Sequence, residues 1–239
     1  MYGWRARIGH IYPAVVAETI FNDFFRMVPD GVTLVMTSLS IKILKQEDLE
    51  RAFAEIDQAA LLLAARKPDI IIIGGAPMIR LKGKGSDDEL IRRIGEKTGI
   101  MTTTSQTAAI EAFRELGARK IAVASPYHDD QNDQVKTHLE ASGFEVLNIA
   151  GLRKNVDEIH EVPPDLAYRH AKSVFRQAPG AQLLYVPCAH FSVPEIALLE
   201  QEIGCPVVTS TMAMVWYSFK KLTVKPAIAD QGRLLAGLG

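Results

Sequence analysis

The chain has 239 residues, 48% of them apolar, and its 27 basic and 28 acidic side chains leave a net charge of −1. That length and apolar fraction can bury a full core, in one large domain or two small ones. The near-balance of charge, with no block of one sign, excludes the electrostatic footprint of a nucleic-acid binder or of a protein held on an anionic membrane.

Taken in chain order, short β-rich runs alternate with helical patterns. The predicted strands are Ile8 to Tyr12, Thr33 to Met36, Ile70 to Ile73, Met101 to Thr103, Ile121 to Ala124, Val146 to Ile149, Leu183 to Val186 and Val207 to Val208. Runs such as IIII and LLYV are continuously apolar rather than alternating, as in strands covered by helices on both faces. Between them, Gln46 to Arg66, Asp88 to Lys97, Asp130 to Ser142 and Pro164 to Gln177 space apolar residues as crossover helices do. A helix around Phe21, Phe24 and Phe25 has enough apolar surface to cover a sheet or to meet a second subunit, so a homo-oligomer is an open expectation. The longest uncharged stretch, Ile203 to Phe219, is broken by Pro206 and hydroxyl residues and falls short of the roughly 20 apolar residues of a spanning helix. No apolar signal core precedes Arg5 and Arg7, which predicts a cytoplasmic protein.

The two halves of the sequence resemble each other. RIGHIYP from Arg7 aligns with KIAVASP from Lys120 at an offset of 113, and the same offset sets Gly75, closing DIIIIGG, against Cys188, closing QLLYVPC. MTTTSQTAAIEAF and VVTSTMAMVWYSF correspond at an offset of 106. The expected fold is therefore α/β, with two pseudo-symmetric Rossmann-like parallel-sheet halves facing each other across a cleft lined by strand C-terminal ends. The halves are placed at residues 1–110 and 111–239, with exchange of the C-terminal strand or helix between them allowed.

Several polar residues fall at or near these strand ends: His10, Thr104, Ser125, His190, Thr209 and Ser210. All are candidate contacts for an anionic ligand. Cys188 stands between an apolar strand and a helix predicted to begin near Ser192, whose dipole and free N–H groups would favour a thiolate or an adjacent anion. Cys205, before Pro206, reads as structural. The two cysteines show neither metal spacing nor a disulfide framework. Arg80 and Lys82 read as an exposed basic loop able to attract an acidic ligand to the cleft mouth.

Five motifs in this order, IGHIYP, GGAPMIRLKG (Gly74 to Gly83), ASPYHDDQND (Ala124 to Asp133), PCAHF (Pro187 to Phe191) and GCPVVTST (Gly204 to Thr211), resemble the arylmalonate decarboxylase and maleate cis-trans isomerase branch of the aspartate/glutamate racemase superfamily. The resemblance implies a cofactor-independent enzyme, without metal, acting on a small carboxylate or dicarboxylate. Superfamily racemases carry a cysteine at both symmetric strand ends, and glycine at the first with cysteine at the second matches the decarboxylase pattern. By that resemblance Cys188 is the proton donor to carbon and Tyr127 stabilises the developing enediolate. Pro13, Gly75, Ala76, Ser125, Ala189, His190, Thr209 and Ser210 form the predicted substrate-binding surface. Two departures stand out: Ala76-Pro77 replaces the decarboxylase's hydroxyl pair, and Val16 replaces an asparagine usual in the isomerases. The leading expectation is a decarboxylase of malonate-like dicarboxylates. A cis-trans isomerase or racemase-like enzyme with one cysteine, and a non-catalytic carboxylate-binding protein, are the alternatives.

Overall fold

The computed structural model describes residues 2–83, 85–224 and 230–238. The first sheet and its helices run β1 (Ala6–Ala14), α1 (Thr19–Met27), β2 (Val32–Ile41), α2 (Gln46–Ala64), β3 (Ile70–Ile73), α3 (Ala76–Arg80), α4 (Ser86–Thr98), β4 (Met101–Thr104) and α5 (Ser105–Glu115). The second series repeats this plan with β5 (Lys120–Ser125), α6 (Asp129–Ala141), β6 (Glu145–Gly151), α7 (Val156–Ile159), α8 (Pro164–Arg176), β7 (Leu183–Val186), α9 (Ile196–Ile203), β8 (Val207–Thr209) and α10 (Ser210–Leu222), followed by α11 (Arg233–Ala236).

Each series forms a four-stranded parallel sheet, in the orders β2-β1-β3-β4 and β6-β5-β7-β8. The register carries the sequence repeat: Ile8 lies opposite Ile70, and Ile121, 113 residues later, lies opposite Leu183. At the last strands Ile73 faces Thr104 and Val186 faces Thr209, which makes the terminal offset 105 and corrects the 106 read from sequence. Most of the two aligned segments lies in α5 and α10, where register is no longer fixed by ladder pairing.

The apolar run Ile70–Ile73 is wholly buried because both faces of its sheet are covered. Ile71 and Ile73 pack with Ile56, Leu63 and Ile94 of α2 and α4, whereas Ile8, Ile70 and Ile72 join a core continuous with the second sheet. α5 and α10 pack against each other within that shared core, and α10 also meets α1. Both helices start at a threonine whose hydroxyl accepts a backbone N–H three residues on: Thr104 from Thr107 at 3.0 Å and Thr209 from Met212 at 3.1 Å. Such caps satisfy a donor the first helical turn leaves free. The C-terminal ends of β1, β3, β5 and β7 are thereby held around one cavity. No helix among the described residues is long and apolar enough to cross a membrane.

Candidate active site

The cavity encloses about 80 Å³ and collects Pro13, Gly75, Ala76, Tyr127, Cys188, Ala189, His190 and Ser210 on its wall. Three predicted contacts lie elsewhere. Ser125 is fully buried beneath the Tyr127 turn, where its hydroxyl donates to Asn132 at 2.6 Å and accepts the Tyr127 N–H at 3.1 Å. Thr209 is committed to capping α10 and does not line the cavity. Thr104 is likewise engaged, donating to Asp87 Oδ1 at 2.6 Å. Val16 is 73% exposed and away from the wall.

Gly75 and Cys188 share a positive φ, of 83° and 86°. Glycine enters this left-handed region freely; a cysteine there carries strain on the order of 1–2 kcal/mol, which its surroundings must hold in place. The turn is closed by the Phe191 N–H donating to the Cys188 carbonyl at 3.3 Å. It is fastened to the first half by Thr19, which donates to the Ala189 carbonyl at 3.1 Å, and by Ser192, which donates to Asp23 at 2.7 Å. The helix expected to begin near Ser192 begins four residues later, as α9 at Ile196. Pro194 accounts for this, since the residue before a proline is pushed out of the α region.

Burial pushes the Cys188 thiol up, against the opposing effect of the His190 backbone N–H and the Tyr127 hydroxyl. The resting group is therefore a thiol, the reverse of the thiolate expected from a helix N-terminus. Those same donors stand ready to hold the sulfur when it is ionised. Tyr127 is itself buried, and burial raises its hydroxyl well above the ordinary tyrosine value, so it remains a donor.

Three histidines line the wall and burial lowers all of them, His10 and His190 to about 4. His10 sits midway along β1 with Nδ1 3.0 Å from the Ile72 carbonyl. A carbonyl only accepts, so the neutral ring carries its proton on Nδ1, and Nε2 is a bare acceptor, buried and without a partner. Burial lowers this histidine to about 4. His190 is also lowered to about 4, by burial first and then by His160, and its Nδ1 lies 2.9 Å from the Tyr12 hydroxyl.

Sequence reasoning did not place Tyr185, Gln106 or His138 on this wall, and it set Arg80 in an exposed loop. Arg80 instead ends α3 and lines the cavity, with Nε and Nη2 buried and Nη1 donating to Gln106 Oε1 at 3.3 Å. Gln106 in turn donates to Asp87 Oδ2 at 2.6 Å. The available signal was helical spacing: Ala76 and Arg80 are four residues apart and share a helix face. Their predicted loop is helical because Gly75 and Pro77 initiate it.

The family model described as arylmalonate decarboxylase matches residues 8–235. A maleate isomerase of Pseudomonas putida is 27% identical over 251 residues, covering 97% of each chain. An arylmalonate decarboxylase of Bordetella bronchiseptica is 25% identical over 218 residues, covering 87% of each. In three dimensions, a Nocardia farcinica maleate cis-trans isomerase, carrying a cysteine-to-serine substitution and a covalently bound succinylcysteine intermediate, superposes with a TM-score of 0.88 at 21% identity, covering 97% of this chain and 98% of that one.

Proposed function

The chain belongs to the arylmalonate decarboxylase family, within the aspartate/glutamate racemase-like branch, and from that premise we propose that it decarboxylates malonate-like dicarboxylates without a cofactor, with Cys188 delivering a proton to carbon. The observation that carries this reading is the asymmetry of the two matched strand ends. Of the two cysteines, Cys188 lines the cavity, while Cys205 lies away from it with its sulfur 3.5 Å from the Ala181 carbonyl. Opposite Cys188 stands Gly75, where a Cβ would come within 2.7 Å of Met78 Cε and 2.9 Å of Pro13 Cβ. One face of a planar intermediate has a proton donor and the other has none.

The chemistry follows from the wall. One carboxylate of the substrate lies against apolar side chains such as Ile41, Leu44, Val156 and Ile159, where loss of solvation raises its energy relative to neutral carbon dioxide. Cleavage of the carbon–carboxylate bond leaves its electron pair on the remaining fragment as an enediolate. The Tyr127 hydroxyl donates to an enediolate oxygen as charge develops there. Cys188 then transfers its proton to the α-carbon, and the resulting thiolate, facing Tyr127 and the His190 N–H, regains a proton from water. Delivery from one side yields a single enantiomer from a disubstituted malonate.

A second reading, cis-trans isomerisation, is favoured by the maleate isomerases among the relatives. In that reading Cys188 alone adds to the double bond as a thiolate, allows rotation about the resulting single bond, and is eliminated. The raised thiol value works against it, because addition needs the ionised sulfur. Proton NMR in deuterated water with substituted malonates and maleate, beside Cys188→Ala, separates the two. Loss of a carboxyl group with one deuterium at the α-carbon, abolished in the variant, is the expected result; fumarate formed from maleate without decarboxylation would overturn it in favour of the isomerase.

A further inference from the structure

We propose that Arg80 is the carboxylate anchor of this site, taking the substrate carboxylate that survives the reaction in a side-on pair through Nε and Nη2. The inference rests on the cavity at Cys188 being the substrate site, and it holds whether the reaction there is decarboxylation or isomerisation.

The geometry is specific. Nη1 is held by Gln106 Oε1, whose amide is oriented by donation to Asp87. That arrangement orients the guanidinium and leaves Nε and Nη2, the pair on one edge of the group, buried and without partners among the described residues. Two parallel N–H donors on one edge match the two oxygens of a carboxylate. No carboxylate among the described residues lies within ion-pair distance of Arg80: Asp87 spends one oxygen on Gln106 and the other on Thr104. A buried guanidinium whose direct partner is a neutral amide, with the Asp87 carboxylate acting on it only from beyond ion-pair distance, is a costly arrangement that an incoming anion relieves.

Charge on the rest of the wall agrees. Among the described residues Arg80 is the only lining side chain with a permanent charge. His10, His138 and His190 are kept neutral, chiefly by burial, and the guanidinium itself adds to this at His138. Tyr127 and Tyr185 both interact with Arg80 and with Cys188, so the anchor and the reacting sulfur flank the same two phenols. The position also accounts for the sequence departure at Ala76-Pro77. Hydroxyl donors at the start of α3 are missing, and a bidentate donor stands one helical turn later on the same face. With one cation for a dicarboxylate, the paired carboxylate is retained and the unpaired, desolvated one is the one lost.

The test is equilibrium binding of malonate, phenylmalonate, maleate and their neutral diamides to the full chain with Cys188→Ala, so that nothing turns over, with and without Arg80→Met and Arg80→Lys. At least one acid is expected to bind and its diamide not to; Arg80→Met should weaken the acid on the order of a hundredfold, the loss of two charge-assisted hydrogen bonds. Arg80→Lys should recover only part of that, since a point charge cannot reproduce the fork. Arg80→Met without ligand should unfold at a higher temperature than its parent, because an unpaired buried charge is gone. Unchanged affinity in Arg80→Met, or no acid binding to the parent, overturns the anchor; if Arg80→Met does not fold, full affinity in Arg80→Lys does so. Acid binding through Arg80 without carbon dioxide release in the wild-type chain would leave the anchor standing and remove the decarboxylase reading, and decarboxylation unaffected by Arg80→Met would do the opposite.

Discussion

Lowering the pH should unfold this protein through its buried histidines, and His10 allows the effect to be isolated. Its folded value near 4 lies below the ordinary 6.5 because burial disfavours the charged ring. Above 6.5 both folded and unfolded chains hold it neutral and nothing is lost. Between 6.5 and 4 the unfolded chain takes up a proton that the folded chain refuses, so stability falls as pH falls. The loss for one such histidine is about 2 kcal/mol at pH 5 and about 3 kcal/mol at pH 4. His190, also near 4, adds a similar amount, which together is a large fraction of the ~5–15 kcal/mol that holds a typical domain folded. In His10→Asn the amide nitrogen can take the place of Nδ1 and donate to the Ile72 carbonyl, while the titration disappears. Urea unfolding followed at pH 8, 6 and 5 should give a variant whose loss between pH 8 and 5 is smaller than the parent's by about 2 kcal/mol. Parallel stability curves for parent and variant would refute the assignment of His10 as a neutral buried ring.

Two further outcomes follow from the turns that carry Tyr127 and Cys188. An added Cβ at Gly151 would stand 2.0 Å from the Tyr127 carbonyl oxygen and 2.7 Å from Asn132 Nδ2, so Gly151→Ala should lower Tm by several degrees, reflecting roughly 1–3 kcal/mol of overpacking; an unchanged Tm would mean that the end of β6 does not support the Tyr127 turn. Because burial raises the Cys188 thiol, its alkylation by iodoacetamide, followed by mass spectrometry, should be slow at neutral pH and climb into the alkaline range. Tyr127→Phe removes a donor to the thiolate and should slow it further at each pH, whereas faster alkylation in that variant would contradict the contact.

Much of the fold was legible because strand positions are set by local pattern. Ile70–Ile73 and Leu183–Val186 were read with the bounds the structure has, and the main crossover helices differ from expectation by only one or two residues at their ends. The cavity wall was legible in part. Cys188, Tyr127, Gly75 and Ala189 meet on one wall because strand C-terminal ends must converge in this topology. Ser125 and Thr209 carry the same residue types at the same kind of position, yet their hydroxyls are consumed by a turn and a helix cap. Nothing local in the sequence distinguishes a hydroxyl that supports a turn from one that faces a ligand.

The sequence by itself determined the alternation of strands and helices, the internal repeat and the single-cysteine asymmetry, since periodicity, offset and residue identity are properties of the chain alone. Tertiary structure decided what those residues are chemically. Burial makes Cys188 a thiol and His10 and His190 neutral rings, and the packing of α3 against α2, α4 and α6 turns Arg80 from an expected surface charge into a buried guanidinium on the cavity wall. These properties depend on how much water and which neighbours surround a group, and both are settled only when segments distant in sequence close around it.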